Sequence, residues 1–328
     1  MTRLILRRLA GAVPLILGVL TLTFLLVESA PGSPVDVLLG DRPVPPDVRE
    51  RLEEMYGLDR SPAERYLSWL GAMLRGDLGW SVSNSRPVGR VLADALPPTL
   101  FLAGAALLIH LLAGIFLGVV AAAYRGRWQD RLLTVGSLVL YALPTFWLGL
   151  MAILGLAHLL PAFPPSHMRS VDADTWSFLG RLLDLAWHVT LPACVLGLAS
   201  AAAMARFIRA GLLKTLGEEF IRAARARGLG GRRVLLLHAL RSALLPVVNL
   251  LGLSLPVLVS GSLVTEVVFA WPGMGRLAYQ AILAEDVSVV LATTLFASAL
   301  VIVGNLLADL GMVAVDPRIR LGGPGRRS

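Results

Sequence analysis

Lys214-Thr215 is the only Lys-Thr pair in the sequence, and Leu213 precedes it where a phosphate-binding loop, Gly-x-x-x-x-Gly-Lys-Ser/Thr, requires glycine. Neither His-Glu-x-x-His nor Gly-x-Ser-x-Gly occurs, so zinc proteolysis and serine hydrolysis both lack their residues. His167, Asp172 and Asp174 share one stretch and are of metal-ligating types, but no second spaced ligand set joins them. His110 and His158 stand alone in apolar runs, the setting of a histidine satisfied by a neighbouring helix. Glu28, Glu266 and Asp309 fall near the ends of such runs. An ion-coupled secondary transporter, the alternative function considered, needs ionisable groups near the bilayer midplane, and only His110 is offered there. No catalytic residue, cofactor or metal site is expected.

The most informative stretch is Gly217-Glu218-Glu219-Phe220-Ile221-Arg222-Ala223-Ala224-Arg225-Ala226-Arg227-Gly228-Leu229. Two acids at its start suit the positive end of a helix dipole. Alanine and arginine propagate helix through the middle, and Gly228 stands where a left-handed C-terminal cap is wanted. A second helix is expected from Arg232 toward Leu245. Phe220, Ile221, Ala224 and Leu229 give the element an apolar edge, and Arg222, Arg225 and Arg227 a basic one. From the residues alone two readings stay open: an interfacial helix on anionic headgroups, or a knob that fits a groove on a cytoplasmic protein.

The elements that must position this stretch are membrane spans. The chain has 328 residues, is 56% hydrophobic with a mean hydropathy of +0.72, and only 16% of it is charged, against about 25% in a soluble domain. A helix needs about 20 apolar residues to cross roughly 30 Å of hydrocarbon. Six stretches qualify: Leu9 to Ala30, Thr99 to Ala123, Leu132 to Leu160, Val189 to Leu213, Leu244 to Phe269 and Val287 to Val315. The first follows Arg3, Arg7 and Arg8, as a signal peptide would, but its apolar run is too long and Glu28-Ser29-Ala30 is a poor cleavage site. It reads as a retained signal-anchor helix.

The net charge of +8 is carried by 29 Arg and one Lys that sit between apolar runs, not on one soluble face, which argues for lipid rather than nucleic acid as a partner. One side of the predicted topology holds 19 of these basic residues, from Arg3 through Arg125, Arg209, Arg227 and Arg327, and the short loops of the other hold Arg169, Arg181 and Arg276. Both termini are therefore expected in the cytoplasm. Cys194, alone in an apolar run, excludes an internal disulfide.

The outer segment from Pro31 to Leu96 predicts an amphipathic helix with Val48, Leu52, Met55 and Leu58 on one side, and another over Ala63 to Arg75. A small cap on the bundle and a docking surface for an external partner both fit. Pro144, Pro192 and Pro256 interrupt spans and predict kinks. Gly114 with Gly118, and Gly197 with Ala201, predict close helix packing.

In order along the chain, several blocks resemble the inner-membrane permeases of type I ABC importers for di- and oligopeptides, a family whose relatives import nickel, opines or glutathione. They are Gly76-Asp77-Leu78-Gly79-Trp80-Ser81 with Arg86-Pro87-Val88, Leu96-Pro97-Pro98-Thr99-Leu100, Pro144-Thr145-Phe146-Trp147-Leu148-Gly149, His188-Val189-Thr190-Leu191-Pro192-Ala193, Phe269-Ala270-Trp271-Pro272-Gly273-Met274-Gly275 and Asp316-Pro317-Arg318-Ile319-Arg320. Arg222-Ala223-Ala224-Arg225-Ala226-Arg227-Gly228 resembles the family's Glu-Ala-Ala-x-x-x-Gly signature, closed by Leu245-Pro246, and departs from it at Arg222.

The resemblance implies an all-α polytopic membrane protein with six transmembrane helices, the type I ABC importer transmembrane domain. It implies a first span within 1–30, an extracytoplasmic segment over 31–96, a transmembrane domain over 97–315 with its coupling loop at 214–243, and a cytoplasmic tail over 316–328. Glu219, Phe220, Arg222, Ala223, Ala224, Arg227 and Gly228 would form the coupling helix. The implied partners are a second homologous permease, two cytoplasmic ATPase subunits and an extracytoplasmic substrate-binding protein, in a bacterial or archaeal cell membrane. Dipeptide, oligopeptide, nickel chelate and glutathione all remain open as cargo.

Overall fold

The computed structural model describes residues 2–29, 35, 39, 45–55, 57, 59–244 and 262–315. Pro31, Pro34, Pro43, Leu58, Pro246, Pro256, most of the expected fifth span and the ending at Asp316 to Arg320 lie outside these residues. The helices are α1 (Thr2–Glu28), α2 (Pro46–Met55), α3 (Pro62–Leu74), α4 (Val88–Ala123), α5 (Trp128–Ala142), α6 (Thr145–Ala152), α7 (Phe178–Thr215), α8 (Glu219–Ala226), α9 (Gly231–Arg233), α10 (Leu240–Leu244), α11 (Met274–Leu283) and α12 (Val287–Val315). A two-stranded hairpin pairs β1 (Trp80–Ser81) with β2 (Arg86–Pro87). The all-α membrane architecture agrees with the expectation. Among the described residues, Ala10–Glu28, Val88–Ala123, Phe178–Thr215 and Val287–Leu307 are long and apolar enough to cross a bilayer.

The chain divides into two units. The first comprises residues 1–99 and 272–302. Its core joins Val88, Val91 and Leu92 of α4 to Met274, Leu277 and Ala281 of α11 and Val289 of α12. Asp286 caps α12 through the Val289 N–H at 3.3 Å, and the same carboxylate accepts from Ser81 Oγ at 2.7 Å, Ser83 Oγ at 2.8 Å and Ser83 N–H at 3.0 Å. One buried carboxylate thus fastens the Gly76–Ser83 block to a helix start far along the chain. The α3 helix opens with a capping box between Ser61 and Glu64, whose hydrogen bonds hold the Glu64 carboxyl below its ordinary range. The helix lies on α1: Tyr66 shares a 2.6 Å hydrogen bond with Thr21, its ring centroid is 5.2 Å from that of Phe24, and Arg65 pairs with Glu28.

The second unit comprises residues 100–271 and 303–328. Within it α7 and the second half of α4 meet backbone to backbone. A Cβ at Gly114 would sit 2.6 Å from Met204 Cγ, one at Gly118 2.8 Å from the Ala205 carbonyl oxygen, and one at Gly197 2.7 Å from the Ala106 carbonyl oxygen. The expected glycine-mediated packing is therefore present, with Met204 and Ala205 of α7 facing Gly114 and Gly118. Pro192 leaves α7 unbroken from Phe178 to Thr215.

The third expected span, Leu132 to Leu160, differs most from expectation. It is not one straight helix: α5 and the stretch Thr145–Leu159 meet at 105°. Leu143 takes an extended conformation, φ −79 and ψ 137, as the residue before proline is driven to do, and Pro144 then starts α6. Beyond the elbow Gly149 lies against Val268 and Phe269, whose side chains would be 3.1 Å and 3.3 Å from a Cβ there.

Gly118→Val forces its side chain into Ala205 and Ile208, and is expected to cost about 1–3 kcal/mol, read as a lower melting temperature of the detergent-solubilised protein. Gly104→Val, with nothing within 4 Å of its Cβ position, should change it little; equal effects would contradict the packing described.

Candidate functional site

The α7 helix ends at Thr215, and a turn over Leu216-Gly217-Glu218 starts α8. Glu218 takes the extended N-cap conformation, and its carbonyl accepts from Ile221 and Arg222 at 3.2 Å and 3.3 Å. At the other end Gly228 adopts φ +79. Its N–H donates to the Arg225 carbonyl at 2.9 Å and the next N–H, of Leu229, to the Ala224 carbonyl at 3.4 Å. These two bonds are the Schellman closure expected of a glycine at this position. No neighbour lies within 4 Å of a Cβ at Gly228, so a side chain there would be opposed by the backbone, at about 1–2 kcal/mol, and not by crowding.

The helix has two unlike faces. Ile221 and Ala224 are 0% and 1% exposed and enter a core formed with Met204, Ile208 and Leu212 of α7, Ala122 of α4, and Val234, Ala239 and Ala243. Leu229 packs on the same core. Val234–Ala239 is a π-helical stretch between α9 and α10 that brings the chain back to it. The rest of the helix surface is open: Glu219, Phe220, Arg222, Ala223, Arg227 and Gly228 are all exposed, Phe220, on the flank beside Ala224, at 47%. Of the seven candidate residues, only Ala224 faces the chain's own interior. The apolar edge read from the sequence therefore divides, with Ile221, Ala224 and Leu229 turned inward and Phe220 turned outward. An exposed aromatic among Arg222, Arg225, Arg227, Arg232 and Arg233 suits an apolar socket with an acidic rim.

A partly buried ion pair braces the seat of this helix. Arg209 of α7 donates through Nε and Nη2 to the Asp130 carboxylate at 2.7 Å and 2.8 Å. The same carboxylate accepts from the Gly126 N–H at 2.9 Å. Asp130 is 4% exposed and the Arg209 side chain 29% exposed, so the carboxylate is enclosed while its partner reaches the surface. The sequence reading counted Arg209 only toward orientation and did not single out Asp130. The available signal was slight: Arg209 falls four residues before the end of the apolar run from Val189 to Leu213, where a charge gains from a partner.

Other candidate residues are dispersed. His167 sits beside Ser166, its Nδ1 2.8 Å from the Ser166 hydroxyl, and among the described residues no three His, Cys, Asp or Glu side chains converge as metal ligands. Asp184 holds the loop at Ser170 onto α7: it accepts from Ser170 N–H at 3.0 Å and Oγ at 2.7 Å, and His188 Nδ1 lies 3.2 Å away.

Residues 1–103 match the family described as "Binding-prot-dependent transport system membrane comp, N-term", and residues 114–321 match "Binding-protein-dependent transport system inner membrane component". The chain is 37% identical to the oligopeptide transport system permease protein AppB of Bacillus subtilis over 97% of its own length and 99% of the relative's. It is 35% identical to the dipeptide transport system permease protein DppB of Escherichia coli, and 36% identical to the di/tripeptide transport system permease protein DppB of Pseudomonas aeruginosa, each over 98% of this chain and 99% of the relative. A helical chain with several bilayer-length apolar helices, matched end to end in this way, belongs to the inner-membrane components of binding-protein-dependent transport systems: it is a multi-pass permease subunit of an ABC importer, in which ATP is hydrolysed by a separate subunit.

Proposed function

We propose that this permease imports di- or oligopeptides, and that α8 is the helix through which the ATPase drives it. The chain forms half of the pathway, beside a second homologous permease, with two cytoplasmic ATPase subunits and an external substrate-binding protein. Residues 97–315 make up its share of the transmembrane domain. Residues 31–96 lie outside, and both termini and α8 lie in the cytoplasm. The arginine distribution supports this orientation, and the peptide cargo of the named relatives supports the substrate class.

The observation that carries the reading is the division of α8. Ile221 and Ala224 lock one face into the α7 core, while Phe220, Ala223 and the Gly228 turn are free to enter a groove. A push on the open face is thereby delivered to Ile208 and Leu212 of α7. ATP binding closes the ATPase dimer, the grooves carry the two coupling helices with them, and the pathway changes the side to which it is open.

Three outcomes test this. In reconstituted complete transporter, Gly228→Glu should insert normally yet lose ATP-driven peptide uptake by about tenfold or more; wild-type uptake would refute the coupling role. Ile221→Ser should raise amide exchange across 219–226 as well as lowering uptake, whereas Phe220→Ala should lower uptake and leave exchange unchanged; exchange raised by neither or by both would contradict the two-faced helix. In a Cys194→Ala background, Asp47→Cys should be labelled by an impermeant maleimide from the periplasmic side and Arg227→Cys only from the cytoplasmic side. Labelling of both from one side would overturn the topology.

A further inference from the structure

Of the residues of α5, only Asp130 is fully buried. The rest of the helix presents Leu132, Val135, Leu138, Val139 and Tyr141 as exposed side chains, each more than half exposed. In water such a helix would be driven onto its neighbour by those residues. In a bilayer, lipid serves them equally well, so polar contacts and close packing must set where the helix sits. For α5 the polar contacts come from two arginines of α7. Arg209 holds Asp130 with both arms of its fork, and the Arg206 guanidinium lies over the Tyr141 ring, 5.1 Å from its centroid. Tyr141 stands two residues before the elbow at Leu143-Pro144.

The position of Arg209 on α7 matters equally. It follows Ile208 directly and precedes Leu212 by three residues, and those two side chains form the core that receives Ile221 and Ala224 of α8. The Asp130 carboxylate also accepts from Gly126 N–H, at the turn between α4 and α5 where Gly126 takes φ +78, and from Thr134 Oγ1 at 3.4 Å. Its oxygens are thus reached by four donors, from α7, the turn and α5 itself.

We infer that Asp130 and Arg209 are a positioning pair that carries displacement of α8, received by α7, into α5 and the Pro144 elbow. Without it, α5 keeps its packing on α7 but loses the polar contact that holds its first turn in register, and it follows α7 less closely under the ATPase. The inference rests on α8 being the coupling helix, and it assigns the next link in the chain of motion.

The test uses the complete transporter with its binding protein in proteoliposomes, measuring uptake and ATP hydrolysis in the same preparation. Asp130→Asn and Arg209→Gln should each continue to hydrolyse ATP but import about tenfold less peptide per ATP. The reciprocal exchange Asp130→Arg with Arg209→Asp should recover most of that ratio, which a merely space-filling role would not do. An unchanged ratio in both single variants overturns the inference. A second arm does not depend on those variants: with Asp130→Cys and Arg209→Cys in a Cys194→Ala background, a short reducible thiol cross-linker should raise uptake per ATP, and reduction should lower it again. Loss of uptake on cross-linking would show that the contact must open, and overturns the inference. Gly228→Glu, run in parallel, separates the two readings. If it alone uncouples, the pair is excluded and α8 stands; if it too keeps the wild-type ratio, the coupling reading itself fails.

Discussion

In a bilayer, apolar side chains gain nothing by leaving lipid for one another, so helices are placed by what lipid cannot supply: backbone-to-backbone approach and satisfied polar groups. The second unit of this permease depends on one such contact, between α4 and α7. Gly114 and Gly118 on one helix and Gly197 on the other leave no room for a methyl group between the backbones. That approach fixes α7, and the C-terminal part of α7 then receives both neighbouring elements. Ile208 and Leu212 receive α8, and Arg206 and Arg209 receive α5.

The surface proposed for coupling is consequently small and firmly backed. An eight-residue helix is far too short to be stable alone. It is held by an N-terminal turn from Glu218, a Schellman closure at Gly228, and two side chains sunk in a core that belongs to longer helices. What remains outward is one aromatic, one small residue and several guanidinium groups. This division suits a part that is gripped by another protein. In the proposed role the open face would make the contact and the closed face would transmit it, with no titrating or nucleophilic group required in either. The driving chemistry belongs to the subunit that grips.

The sequence disclosed much of this, and where it did not the reasons are physical. Long apolar runs mark α1, α4, α7 and α12 because 20 or so apolar residues have few other uses. The Gly228 cap was legible because a glycine after an alanine- and arginine-rich run has one common role. Pro144 signalled a break but not a right-angled one, since proline removes a donor and biases the preceding residue, while the direction beyond is set by Gly149 meeting Val268 and Phe269. The inward face of α8 was hidden because Phe220, Ile221 and Ala224 all look apolar in a helix of only eight residues. The pairings of Asp130 with Arg209 and of Asp286 with Ser81 join residues 79 and 205 positions apart. No local pattern reports such distances, and only a charge near the end of an apolar run hinted at the first.

The central claim is that Phe220, on the open face of α8, lies against the ATPase. It is most directly tested by replacing Phe220 with the photo-cross-linking residue p-benzoylphenylalanine in the assembled transporter and irradiating it. The account predicts a covalent adduct with the ATPase subunit whose yield changes when ATP is bound without hydrolysis. Adducts with lipid alone would contradict it and would make α8 a headgroup-bound helix.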